Sequence, residues 1–382
     1  MKRPTSSPVY QDCNATTPTE RAVQEVVLLH MVEEFGNAGS RTHEFGLRAK
    51  RAVQEARDQV ASLVAAQRDE VVFTSGATES NNLALLGLEQ EGVRTGRRHI
   101  LSSPLEHKAV LEPLEELAKR GFEVELLPVD GRGWVAPESL VEKLRPDTFL
   151  VSLMHVNNET GVRQPLDAYA AVLASHAAYW HVDAAQGFGK DVPGLRSPRI
   201  DLISISGHKV YAPKGIGALI ARRRGFDALP LRPLLFGGGQ ERGLRPGTLP
   251  VALIAGLGKA AALAERDHKA RSAICAKKRS ELLAALLPLE PEFNGDQDAC
   301  LHHVVNMSFP GVDSEALMVT LKPYIAISNG SACTSHEYKP SHVLRAMGLS
   351  DDRIRGAIRI SWCHMTEDID WETVADAIGR LR

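Results

Sequence analysis

The stretch Leu202-Ile203-Ser204-Ile205-Ser206-Gly207-His208-Lys209 decides the reading of this chain. Its first part, apolar and β-branched, has the character of a buried strand. Gly207 breaks that run, and a lysine follows just past the strand end. The ordinary fate of a lysine is a solvated surface charge. Here it follows two small hydroxyl residues, a glycine and a histidine, and a second glycine-rich turn, Pro213-Lys214-Gly215-Ile216-Gly217, comes straight after it.

Working outward, further short apolar runs predict strands over 70–74, 99–102, 123–128, 149–156, 180–184 and 217–221. Amphipathic segments lie between them, for example over 108–119 and 137–144. Alternation of this kind predicts an α/β fold, with a mostly parallel seven-stranded sheet and helices on both faces. After Pro250 the pattern changes to one long helix rich in Ala, Leu, Lys and Glu, and beyond Pro288 to short strands and helices. We expect a domain boundary inside that helix near Glu265, and a smaller α+β C-terminal domain after it. No internal repeat or low-complexity segment is present.

The 382 residues are enough for a large core divided between two domains. A composition of 43% hydrophobic and 24% charged residues is that of a globular protein, and the net charge of −2 gives no footprint for direct nucleic-acid binding. The polar start, Met1 to Pro8, does not read as a secretory leader. No apolar run approaches the roughly 18 residues of a membrane span. A cytoplasmic location is expected. The five cysteines, at 13, 275, 300, 333 and 363, form no CxxC pair, which argues against a disulfide framework and a structural zinc site. No metal is expected, and the His302-His303 pair lacks a second ligand cluster.

Several strand ends carry groups suited to one cofactor. Ser75-Gly76-Ala77-Thr78 follows a strand and opens a helix, where free N–H groups and the Thr78 hydroxyl can hold a phosphate. Taken alone it is an ordinary capped turn. Asp183 ends the strand over 180–184 and is followed by Gln186; a carboxylate there can pair with a protonated ring nitrogen. Lys209 suits covalent attachment of an aldehyde cofactor such as pyridoxal phosphate, with Ser206 and His208 reaching the phosphate. Each signal is weak singly, but Asp183 and Lys209 on successive strand ends outweigh the bland readings. His107 could lie flat on the cofactor ring, and Asn158, in His155-Val156-Asn157-Asn158-Glu159-Thr160-Gly161, could reach its phenolic oxygen. Among the cysteines only Cys333 sits in a small polar segment, Ser328-Asn329-Gly330-Ser331-Ala332-Cys333-Thr334-Ser335. A reactive thiol is plausible there; the other four read as structural.

Together these segments resemble the group I cysteine desulfurases, a branch of the class V aminotransferase-like, fold-type I pyridoxal-phosphate enzymes. The resemblance runs almost end to end. It is carried by Ala15-Thr16-Thr17-Pro18, Phe35-Gly36-Asn37, Ser75 to Ser80, Glu106-His107-Lys108, the His155 to Gly161 motif, His181 to Gln186, Ser206 to Lys209, Arg245 to Pro250, and Gly330 to Ser335. It implies a large cofactor-binding domain over 16–265, and a small domain built from 1–15 and 266–382. It also implies a homodimer in which Thr248 reaches the phosphate held by the neighbouring subunit. Ala77, Thr78, Ser206 and His208 would bind the phosphate within one subunit, and Asp183 would take the pyridine nitrogen. Gln186 and Asn158 would contact the phenolic oxygen, while His107 would stack on the ring and handle protons. Arg359, with Asn158, would hold the substrate carboxylate.

The implied reaction takes sulfur from L-cysteine onto the Cys333 thiolate, leaving L-alanine and a persulfide for an acceptor protein. Three departures from the family pattern stand out. Asp12-Cys13-Asn14 replaces an aromatic-Ser pair, Pro246 stands where Ser is usual, and Trp362-Cys363-His364-Met365 replaces Leu-Gly-Arg-Phe. They suggest a specialised enzyme. The acceptor could serve iron–sulfur assembly, tRNA thiolation, or DNA phosphorothioation through a partner. Selenocysteine lyase, cysteine sulfinate desulfinase and a non-catalytic sulfur-relay scaffold are the competing readings.

Overall fold

A computed structural model describes residues 8–330 and 340–381. In chain order the elements are β1 (Val9–Tyr10), α1 (Arg21–Val32), α2 (Glu44–Leu63), β2 (Val71–Thr74), α3 (Ala77–Leu86), α4 (Glu89–Thr95), β3 (His99–Ser102), α5 (Lys108–Lys119), β4 (Glu123–Leu126), α6 (Pro137–Lys143), β5 (Thr148–Ser152) and α7 (Leu166–Leu173). There follow β6 (Tyr179–Asp183), β7 (Leu202–Ser206), β8 (Gly217–Ala221), α8 (Val251–Leu286), β9 (Glu292–Phe293), β10 (Val304–Ser308), α9 (Ser314–Leu321), β11 (Ile325–Ala326), α10 (His342–Ala346), α11 (Asp351–Arg355), β12 (Ala357–Ser361) and α12 (Trp371–Gly379).

Seven strands form the main sheet in the order β2-β8-β7-β6-β5-β3-β4. Only β8 runs against its neighbours. Period-2 alternation places Val71, Phe73, Val182, Ile203 and Ile205 in one apolar layer, and Val72, Ile100, Leu150 and Leu202 in the other. Both faces are therefore covered, which is why these strands read as continuous apolar runs.

Two predicted strands come out shorter. The run predicted over 149–156 ends at Ser152, although Leu153 N and His155 N still donate to His181 O (3.1 Å) and Asp183 O (2.9 Å). Glu106 takes Met154 N at 2.6 Å, and Asn157 Oδ1 accepts from Glu159 N and Thr160 N, so side chains turn this segment out of the ladder. The run over 123–128 ends at Leu126, on the sheet's edge strand.

The C-terminal part carries a three-stranded antiparallel sheet, β12-β10-β9, and β1 pairs parallel with β11. Helix α8 is continuous. Its first half packs in the large core through Ile254, Leu257 and Ala261, and its second half packs through Cys275, Leu282 and Leu286 with β10 and β12. Among the described residues no helix is long and apolar enough to cross a membrane.

Candidate active site

The carboxyl ends of β2, β6 and β7 open onto a cleft of about 480 Å³. That lies within the usual range for small-molecule sites, about 300–1,000 Å³. It is lined by Ala77, Thr78, His107, Asn158, Asp183, Gln186, Ser206, His208, Lys209 and Arg359, all expected from the sequence. Thr248 is exposed and is not part of this lining. Cys333 lies outside the described residues.

One wall is the turn from β2 into α3. Thr74 Oγ1 meets Ser80 Oγ at 2.8 Å, and Glu79 Oε2 accepts from Ser75 N at 2.7 Å, so the turn is tied to the first helical turn. The first N–H groups of α3 have no intrahelical acceptor and carry the positive end of the helix dipole. On the opposite side β8 approaches so closely that a Cβ on Gly217 would stand 2.6 Å from Gly76 Cα, and only glycine fits.

At the end of β6, Asp183 is buried, yet both carboxylate oxygens are engaged. Asn81 Nδ2 donates to Oδ2 at 2.8 Å, and Ala185 N to Oδ1 at 2.9 Å. Beneath it, His181 bridges Ser152 Oγ (2.8 Å) and Ser204 Oγ (3.0 Å). Burial pushes His181 down to about 4 against the opposing pull of Asp183, so it is neutral at neutral pH. Glu106 is fully buried. Desolvation first, and the neighbouring Asp183 charge second, push it well above the usual carboxylate range. Asp183 thus has two hydrogen-bond donors on its carboxylate where Glu106 has one.

Lys209 lies in a short 3₁₀ turn, Gly207–Lys209, pinned to the sheet by Gly207 N donating to Ile216 O at 2.9 Å. Its Nζ donates to Asn14 O and to Ala15 O, the latter at 2.7 Å. Beside it, His208 Nδ1 meets Thr16 Oγ1 at 3.1 Å, and burial followed by the charges of Lys209 and Lys214 lowers it to about 4. His107 caps α5, its Nδ1 accepting from Ala109 N at 3.1 Å. That contact assigns the ring proton to Nε2. Burial lowers its pKa, Asp183 opposes, and Lys209 adds to the lowering.

Asn14, Ala15, Asn81, Met154 and Lys214 also line the cleft, and sequence reasoning did not single them out. Asn14 O takes Gln186 Nε2 at 2.9 Å as well as Lys209, while Asn14 Nδ2 reaches Asn158 O at 3.1 Å. Asn81 stands three residues beyond Thr78 on α3, a spacing that puts both on one helix face.

Two of the departures meet in space. Cys13 and Cys363 are buried together against Tyr211, with Cys13 N donating to Ser361 O at 3.0 Å. A hydrogen bond from Cys13 is the first of several contacts that lower the Cys363 thiol to about 6. Cys275 and Cys300 are also buried and free. Met365 and Cys13 line a second cleft that shares Lys214 with the first. Among the described residues no group of His, Cys, Asp or Glu is placed to hold a metal.

A helix start with free N–H groups, a carboxylate at one strand end and a lysine at the next meet at the carboxyl edge of the sheet, where folds of this kind bind ligands. The chain belongs to the aminotransferase class-V family, whose model matches residues 9–373, and within it to the cysteine desulfurases. It is 44% identical to cysteine desulfurase IscS of Shewanella frigidimarina, over 98% of this chain and 94% of that protein. Among solved structures, DndA from Streptomyces lividans is 54% identical with a TM-score of 0.82, covering 91% of this chain and 98% of that one. SspA, solved in complex with cysteine, is 37% identical with a TM-score of 0.80, covering 92% and 98%.

Proposed function

We propose that the protein is a cytoplasmic, homodimeric cysteine desulfurase that converts L-cysteine to L-alanine and leaves the sulfur as a persulfide on Cys333. The observation that carries this reading is the meeting of Lys209, Asn81-supported Asp183 and Arg359 in one cleft. The donor set fits pyridoxal phosphate. Thr78, Ser206, His208 and the start of α3 would hold the phosphate, with Ala77 beneath it, and Asp183 the ring nitrogen. Gln186 Oε1 and Asn14 Oδ1 are buried acceptors without partners, the polar complement of a ligand. Once bound, the cofactor would supply an electron sink for the carbanion left when the substrate loses its α-proton.

The chain's own groups do the rest. Lys209 would hold the cofactor, and Asn14 O and Ala15 O are placed to receive its Nζ when the amine is free. His107, neutral and held at Nδ1, presents Nε2 for proton transfer. Arg359 with Asn158 takes the substrate carboxylate. The Cys333 thiolate attacks the substrate sulfur. A new S–S bond forms as the C–S bond breaks, and the electron pair left on carbon is protonated to give alanine.

The division into domains over 16–265 and over 1–15 with 266–382 is supported by the two separate cores joined by α8. A homodimer is supported by exposed apolar side chains at Phe226, Leu235 and Phe236 and by the exposure of Thr248, which would serve the partner's phosphate. We further propose a specialised sulfur acceptor, with DNA phosphorothioation through a partner protein ahead of housekeeping iron–sulfur assembly. The Cys13-Asn14 and Trp362 to Met365 departures support this, as does a higher identity to DndA than to IscS. The test is release of alanine and sulfide from L-cysteine by the wild type and by Cys333→Ser. The variant should keep the visible cofactor band and lose sulfur release. Unchanged turnover would remove Cys333 from the reaction.

A further inference from the structure

Arg359 is 2% exposed and lines the cleft, yet its guanidinium is already engaged from three sides. Nη2 donates to Asp12 Oδ1 at 2.7 Å and to Ser328 Oγ at 3.0 Å, and Nη1 donates to Asn158 O at 2.9 Å. Among the described residues Nε is buried without a partner. Backbone pairing locks the same group in place. Arg359 N donates to Ser328 O at 2.7 Å, and Asp12 bridges to Ser361 on the same edge of β12, opposite β10.

A carboxylate bound through both N–H groups on one side of a guanidinium uses Nε and the adjacent Nη2. Nε has no partner among the described residues, whereas both Nη2 hydrogens are committed. A carboxylate bound in that side-on mode must displace one acceptor, and the neutral Ser328 hydroxyl, at the longer distance, is the weaker of the two. Asp12 then remains on Nη2 beside the ligand. Two carboxylates sharing one buried guanidinium repel each other, and the low local dielectric enlarges that repulsion.

We propose that Asp12 is the internal counter-ion of Arg359: it fixes the guanidinium in the cleft and, by sharing its charge, holds down the affinity for the substrate carboxylate. This rests on the desulfurase reading of the cleft. It makes Asp12 a positioning residue that tunes specificity, favouring turnover and release of alanine over tight capture.

The experiment uses the cofactor-loaded enzyme and two non-reacting probes, L-alanine and L-alaninamide, which lacks the carboxylate. Binding is read by calorimetry alongside KM and kcat for L-cysteine. Asp12→Asn keeps an acceptor oxygen toward Arg359 but removes the charge, and should tighten L-alanine about three- to tenfold and lower KM, with the amide unmoved. Asp12→Ala loses the anchor as well, and should weaken L-alanine about tenfold, again without moving the amide. A weakening of L-alanine in Asp12→Asn, or equal shifts for both probes in either variant, overturns the proposal. If the wild type neither binds L-alanine nor releases it from L-cysteine, the desulfurase reading fails and takes this inference with it. A desulfurase whose Asp12 variants bind like the wild type refutes the inference alone.

Discussion

Asn81 Nδ2 stands 2.8 Å from Asp183 Oδ2, both residues buried, one on α3 and the other at the end of β6. The contact ties two cofactor-facing elements into one unit. It also gives the Asp183 carboxylate a neutral donor close to Glu106, whose own pKa burial raises.

Asn81→Ala should therefore weaken cofactor retention by about ten- to hundredfold, the range for losing a hydrogen bond to a charged group. Cofactor absorbance during dialysis measures it. Asp183→Asn should cost more, because it removes the charge itself. A variant that keeps its cofactor like the wild type would leave Asn81 without this role.

Lys209→Ala should abolish alanine release and the cofactor's visible band in the purified protein. His107→Gln should retain the cofactor and lower kcat by about 10²–10⁴, the usual share of a general acid–base group. Unaltered kcat in His107→Gln would leave proton handling to another side chain.

Stability should fall with acid above the range where ordinary carboxylates titrate. His181 and His208 are held near 4 by burial, below the ordinary histidine value of about 6.5. Above 6.5 neither state is protonated. Below it the unfolded chain binds protons that the folded histidines refuse until about pH 4, so stability drops progressively across that window. Melting temperature should decline from pH 6.5 to 5. His181→Gln, which can still meet both serine hydroxyls, should flatten the decline. A flat wild-type profile would contradict the assignment.

Arg57 and Glu241 form a buried two-point pair, at 2.5 and 2.8 Å, and Glu241 Oε2 also accepts from Phe73 N on β2 at 2.7 Å. Glu241→Ala strands the arginine and a backbone donor, and should destabilise by about 3–5 kcal/mol. Replacing both residues by Met should cost much less. Urea unfolding of the single and double variants distinguishes the two, and equal losses would mean the pair itself matters little.

The strand-end groups that opened this reading, Ser206 to Lys209 and Asp183, were legible because each lies within a few residues of its own strand. Local apolar runs and glycine turns determine where such strands stop, and a parallel sheet gathers those ends on one edge. For the same reason the seven strands could be placed, and the largest error fell at 153–156, where Glu106 and Asn157 override the local pattern through side-chain bonds.

What the tertiary structure alone decided is pairing across the sequence. Asn14 reaches Lys209 and Gln186, Cys13 meets Cys363, and Asp12 holds Arg359. Nothing local in 12–14 marks those partners, because the contacts arise only when the N-terminal segment is laid against β12 and across the mouth of the large sheet. The sequence by itself determined that Lys209 would stand at a strand end, where it lines the cleft. Which carbonyls receive its amine, and which acid shares the arginine opposite, depended on long-range packing that periodicity does not encode.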